Sequence, residues 1–174
     1  LASGLPRDEF QPEVVCLTHG GPFEEVLHSN NVPVTVVGKQ RKFSPSALRK
    51  LRSIIRDRQP DILHTWLFAA NAYGRLAVGK TQQPRVIVSE RCVDSWKSKW
   101  QLWLDKKLIP KTDCMIGNSQ PVADFYGALG FPADRLSVIH NGVETPSVTT
   151  SRAELLADLD VPDSAFVLGF VGRL

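Results

Sequence analysis

Residues 59–77, QPDILHTWLFAANAYGRLA, change periodicity at a single point. Up to Trp66 the stretch is a short, largely apolar run behind Pro60 and Asp61, too short for a helix and bounded as a strand is bounded. From Leu67 onward the pattern is helical. Ala69, Ala70, Ala72 and Gly74 are small enough to let that helix lie close against a sheet. A strand that runs directly into a helix is half of a βαβ unit, the building block of parallel sheets.

The same alternation extends in both directions. PEVVCLT, VPVTVVG, RVIVSE, CMIGNS, LSVIHNG and FVLGFVG are short, rich in valine and isoleucine, and bounded by turn residues. The clearest helix between them is FSPSALRKLRSIIRDRQP. Ser44 caps it, Pro45 suits its first turn, Leu48, Leu51, Ile54 and Ile55 form the inward stripe, and Pro60 ends it. In SQPVADFYGALGFP, Ser119 is the cap and Gly130 the stop. The expected fold class is α/β, a parallel sheet with helices on both faces.

Composition is that of an ordinary globular chain: 43% hydrophobic and 22% charged. No apolar window is long enough for a membrane-spanning helix, and LASGLPRDEF has neither the basic nor the apolar region of a secretory signal. Cys16, Cys92 and Cys114 are scattered, which argues against a disulfide framework and for a reducing compartment. Cys16 and Cys114 fall inside strands and read as buried structural thiols. The four histidines complete no zinc set at a recognisable spacing, so no metal is expected. Residues 39–58 hold eight basic side chains against Asp57 alone, whereas residues 150–174 are net acidic. The basic excess fits a solvated helix face, or a phosphate or lipid surface.

TPSVTT at 145–150 reads as a linker, followed by a short helix in SRAELLADLDVPDSA. The expected organisation is a domain over 1–145, a linker with a helix over 146–165, and the first strand of a second domain over 166–174. The amino-terminal segment resembles the tail of a helix entering a second strand. A central strand is therefore expected to be absent from the front, leaving EVVCLT and ILHTW with unpaired edges.

Ligands of parallel sheets bind beyond the carboxyl ends of the strands, so polar residues there take priority. His64 stands beside a strand exit, either as a satisfied rim histidine or as a hydrogen-bonding group for a substrate hydroxyl or phosphate. His19 lies beside Gly20 and Gly21, where backbone can approach a ligand. Glu90 and Arg91 end one strand. Asn118 and Ser119 end the next, where they line the same cleft or cap the following helix. Asn141-Gly142 is a turn signal, and His140 with Glu144 makes only a weak metal pair. WKSKWQLWLDKKLIPK sets Trp96, Trp100, Trp103, Leu104 and Leu108 at helical spacing among lysines. It suits a helix packed on its own domain or an amphipathic surface that meets an anionic membrane or a partner.

The order of QPDILHTW, CMIGNSQPVADFYGALGFPADRLSVIHNGVE and FVLGFVGRL resembles family 4 of the retaining glycosyltransferases, of the two-domain GT-B fold. The resemblance covers nearly the whole chain. It implies a Rossmann-like amino-terminal domain that binds acceptor, followed by the start of the donor-binding domain. His64 falls on the family's strand-end histidine and is implied to be catalytic. Gly172 and Arg173 fall on the glycine-arginine that holds the donor diphosphate, where a guanidinium fork matches phosphate oxygens. His19, Glu90, Arg91, Asn118 and Ser119 are the expected substrate-binding residues.

The implied reaction moves a sugar from a nucleotide-sugar donor to an acceptor hydroxyl with retention of configuration, in glycolipid or polysaccharide synthesis. The donor is a substrate and no cofactor is expected. The acceptor would be a glycan, a lipid-linked sugar or a small alcohol. An anionic membrane surface is a further expected partner and nucleic acid is not. The expected location is cytoplasmic, peripheral at the inner membrane face. Three departures stand out: the family's glycine-rich loop has no counterpart, Trp66 replaces a polar strand-exit residue, and Glu144 stands for aspartate. The alternatives are a nucleotide-sugar 2-epimerase of the same fold, or a noncatalytic membrane- or partner-binding module.

Overall fold

The computed structural model describes residues 1–79, 84–93, 95–143, 145, 147, 149–162 and 164–170. The chain divides into two compact units, Leu1–Asn141 and Gly142–Leu174. The sequence reading sets its boundary a few residues later, between 145 and 146.

In the first unit, strands and helices alternate: β1 (Val14–Cys16), α1 (Glu24–Ser29), β2 (Val34–Val36), α2 (Pro45–Arg58), β3 (Ile62–Trp66) and α3 (Leu67–Ala77). Then follow β4 (Arg85–Glu90), α4 (Lys99–Leu108), β5 (Cys114–Gly117), α5 (Gln120–Leu129) and β6 (Leu136–Val138). All strand pairs are parallel. β1 pairs with β2 in one sheet, and β3-β4-β5-β6 form a second in chain order. A helix separates each strand from its parallel neighbour, as parallel pairing requires. β1 and β3 are each an end strand, and no hydrogen-bonded strand joins them among the described residues.

Strand alternation decides what each side chain meets, because successive residues point to opposite faces. The register aligns Thr65 with Val88 and Met115, and it aligns His64 with Ile87 and Cys114. The first set is the helix-covered side. Val86, Val88 and Met115 pack there with Val122 and Tyr126 of α5 and with Val78 and Phe131. Gly74 of α3 lies so close that a Cβ on it would stand 2.5 Å from Thr65 Cγ2. A second cluster, Val37, Ala47, Leu51, Tyr73 and Ala77, joins β2, α2 and α3.

The predicted α2 forms as its sequence dictates. Ser44 Oγ accepts from the Ala47 N–H at 3.3 Å, Pro45 opens the helix and Leu51 is buried. It closes on Gln59 in the left-handed region, φ 47°, one residue before Pro60. Its basic residues are more than a solvated face. Lys50 Nζ donates to the carbonyls of Val36 and Val37, and Arg52 donates to that of Leu76, so both tie α2 to its neighbours. In α5, Gly130 caps the end with φ 111°, as expected.

α4 turns the indoles of the tryptophan segment away from the domain core. Its inward side is Asp105 and Leu108, both buried. The indoles of Trp100 and Trp103 consequently point outward, 50% and 60% exposed, and Trp96, in the turn before α4, is 65% exposed. Cys16 and Cys114 are half-buried and Cys92 is exposed, and no disulfide joins them. Burial, with Glu24 adding to it, pushes the Cys16 thiol up and away from reactivity.

The second unit contains α6 (Arg152–Asp158), opened by a reciprocal cap: Glu154 N–H donates to Ser151 Oγ and Ser151 N–H to Glu154 Oε2. The strand expected over 166–174 does not appear at 166–170. Those residues carry no regular structure, with Phe166 and Leu168 almost fully exposed. A strand exists only where a neighbour satisfies its backbone groups, and none of the described residues pairs with this one. Residues 171–174 lie outside the described residues.

Candidate active site

The sheet's other face gathers the polar strand-end residues. His64, Trp66 and Ser89 all point to it, because 64 and 66 share parity in β3 and Trp66 is in register with Ser89. His64 Nε2 lies 2.7 Å from the hydroxyl of Ser89, which is fully buried. The imidazole stacks on the Trp66 indole with centroids 4.7 Å apart and planes 29° apart. The Arg91 guanidinium sits 4.1 Å from the Trp66 ring centroid. Burial first, and the Arg91 charge second, hold the His64 pKa below its ordinary value. Both effects favour the neutral imidazole, which has one nitrogen anchored to Ser89. A neutral imidazole in a fixed orientation can give or take a hydrogen bond, and it can polarise a hydroxyl.

Arg91 is the hub of the neighbouring strand ends. Its Nη1 donates to Asn141 Oδ1 at 2.7 Å, and its backbone carbonyl accepts from Asn118 Nδ2 at 3.0 Å. The Asn118 carbonyl in turn lies 3.2 Å from His140 Nδ1. Residues at the exits of β3, β4, β5 and β6 are thus one connected row. Asn118 Oδ1 is buried without a hydrogen-bond partner, an acceptor that its amide orientation leaves open. Ser119 occupies the N-cap position of α5, yet its hydroxyl makes no capping bond, so the sequence's capping alternative does not hold for that group.

Glu90 differs from this row. One residue before Arg91, it points to the opposite, helix-covered face. Its Oε1 accepts from Asn71 Nδ2 at 2.9 Å and from Lys97 Nζ at 3.0 Å. Lys97 Nζ also donates to Asp105 Oδ2 at 3.0 Å and to the Tyr126 hydroxyl at 2.7 Å, and Arg75 pairs with Asp105 Oδ1. Arg75, Lys97, Glu90 and Asp105 are all buried, two positive against two negative. The carboxylate expected to bind substrate is held within this network, which pins α3, α4, α5 and the end of β4 together. Strand alternation was the signal that would have separated Glu90 from Arg91, and it would also have nominated Ser89.

His19 stands at the exit of β1, exposed, with Nδ1 donating to its neighbour's carbonyl, that of Gly20, at 2.6 Å. With Thr18, Gly38, Lys39 and Gln40 it lines a pocket of about 530 Å³ beyond the ends of β1 and β2. It belongs to the other sheet from His64. Gly172, Arg173 and Glu144 lie outside the described residues. Among the described residues no cluster of histidine, cysteine or carboxylate groups suits a metal ion.

The family model for Glycosyltransferase Family 4 matches residues 1–146, most of the chain. The chain belongs to glycosyltransferase family 4. Its fold matches that of Anabaena HepE crystallised with UDP, with TM-score 0.67 and 19% identity. It also matches HepE with UDP-glucose, at 0.64 and 21%, and HepE with UDP and glucose, at 0.63 and 21%. In each case the alignment covers 85% of this chain and 42% of HepE. The family 4 chain thus spans less than half the length of these structural relatives. No curated protein matches it. The His64–Ser89 pair and the Arg91 row all lie within the stretch matched by the family.

Proposed function

We propose that this chain supplies the acceptor-side domain of a retaining glycosyltransferase, with His64 at the reaction centre. The supporting observation is His64 itself: half-buried at a strand exit, anchored by Ser89 and stacked on Trp66, where burial and the Arg91 charge favour the neutral imidazole. HepE, of the same fold, binds UDP and UDP-glucose, which supports a nucleotide sugar as donor. The donor would be held by the second domain, where Gly172 and Arg173 meet its diphosphate.

In this reading Arg91, Asn118 and Ser119 orient the acceptor, and Asn118 Oδ1 takes a hydrogen bond from one of its hydroxyls. His19, over the pocket beside β1, contacts the more distant part of the acceptor. The bond between the anomeric carbon and the departing diphosphate breaks. The acceptor oxygen bonds to the same face of that carbon, and its proton passes to the leaving phosphate. Electrostatic complementarity to that charged transition state is where a positioned imidazole contributes. The product class is a glycolipid or polysaccharide intermediate, and the place of reaction is the cytoplasmic membrane face.

The test is an assay of the whole protein with a panel of nucleotide sugars and candidate acceptors. Acceptor-dependent release of nucleoside diphosphate, with the product linkage keeping the donor's anomeric configuration, is the expected result. Interconversion of the donor sugar without transfer would identify an epimerase instead. Binding without turnover would identify a noncatalytic module.

A further inference from the structure

We propose that the outer side of α4, with the loop before α2 and the start of α3, forms a surface that docks on an anionic lipid bilayer. Trp100 and Trp103 are 50% and 60% exposed and stand three residues apart on one side of α4, and Trp96, in the turn before the helix, is 65% exposed. This orientation is fixed from within. Asp105 and Leu108 occupy the buried side, and Asp105 is held by Arg75 and Lys97, so α4 cannot roll its indoles inward.

The apolar surface continues beyond α4. Phe68 meets Trp100 edge-on at 5.7 Å, and Lys42 Nζ stands 5.8 Å from the same indole. Phe43, beside Lys42, is 73% exposed, and Leu67, beside Phe68, is 56% exposed. Leu67 has φ 67°, a left-handed conformation that glycine would adopt without strain. The chain carries instead a leucine whose side chain faces solvent.

Among the described residues of this surface, the exposed charges of Arg41, Lys42, Lys99, Lys106 and Lys107 have one sign, and the one acid of α4, Asp105, is buried. Tryptophan rings favour the headgroup level of a bilayer, and lysines beside them suit anionic lipid. A protein partner is the poorer match, because lysine is depleted from the cores of protein–protein interfaces. The surface adjoins the candidate site through consecutive residues: Leu67 follows Trp66, which stacks on His64. On the proposed function, an acceptor with a lipid tail would reach His64 from this side; the docking itself does not depend on that reading.

The experiment mixes the whole protein with vesicles of phosphatidylcholine, alone or with about one-third phosphatidylglycerol. The expected result is sedimentation with the anionic vesicles only, a blue shift of tryptophan emission, and weakening by added salt. A Trp100→Ala/Trp103→Ala variant should lower partitioning by about tenfold or more, with its thermal melt unchanged, since both side chains are exposed. Lack of vesicle binding, equal binding to both vesicle types, or unchanged binding by the double variant would overturn the proposal. So would burial of the indoles in a concentration-dependent dimer. Transfer to a water-soluble acceptor should be unaffected by the double variant. If vesicle binding holds while no nucleotide sugar is turned over, it is the transferase reading that fails.

Discussion

The Arg91 guanidinium lies 4.1 Å from the Trp66 ring centroid, and Trp66 stacks in turn on His64. One cation therefore acts on the imidazole across an indole, adding to the effect of burial on its pKa. Arg91→Gln should raise the His64 pKa while leaving it below the ordinary value of about 6.5, because burial is the larger cause. The titration of the His64 ring protons by NMR, in the unaltered protein and in the variant, measures this. An unmoved His64 would contradict the geometry. The sign for stability follows: the unfolded state binds the proton more readily. His64 thus contributes stability that is complete above about pH 6.5 and is lost as pH falls toward the folded pKa.

The buried quartet of Arg75, Lys97, Glu90 and Asp105 is balanced only while complete. Asp105→Ala should destabilise the protein by about 3–5 kcal/mol, since two buried cations would be left facing one carboxylate. Denaturant unfolding measures it. A loss below about 1 kcal/mol, the level of a surface pair, would mean that the network is solvated.

Among the described residues, β1 and β3 each have one edge without a paired strand, and Val15 and Ile62 on these strands are partly exposed. Open edges of this kind recruit other strands. The 174-residue chain, expressed by itself, should therefore run as mixed higher-order species on size exclusion with light scattering. A single monomer peak with one sharp thermal transition would show that these edges are covered.

Most of the fold was legible because βαβ order, helix caps and strand periodicity agree. Ser44, Pro45 and Gly130 marked helix ends that the structure confirms. At 166–170 local composition favours a strand, but a strand also requires a neighbour, and no described residue provides one. Within the site, His64 and Arg91 were legible as polar groups at strand exits. Glu90 was assigned with Arg91 because proximity in sequence outweighed alternation. Glu90, the last residue of β4, points to the helix-covered face, Arg91 just beyond the strand lies over Trp66, and it is Ser89 that shares the side of His64. The outward turn of the tryptophans was not legible, because it depends on where Asp105 finds its cations, thirty residues away at Arg75 and eight at Lys97.

The most direct measurement compares His64→Ala with the unaltered whole protein, reading kcat and nucleotide-sugar affinity separately. An interaction made mainly in the transition state lowers kcat without an equal loss of ground-state binding. The predicted result is a fall in kcat of about 10²-fold or more, with donor affinity by calorimetry changed less than about twofold. A variant that keeps near-normal kcat and merely melts at lower temperature would contradict the account and leave His64 a packed rim histidine.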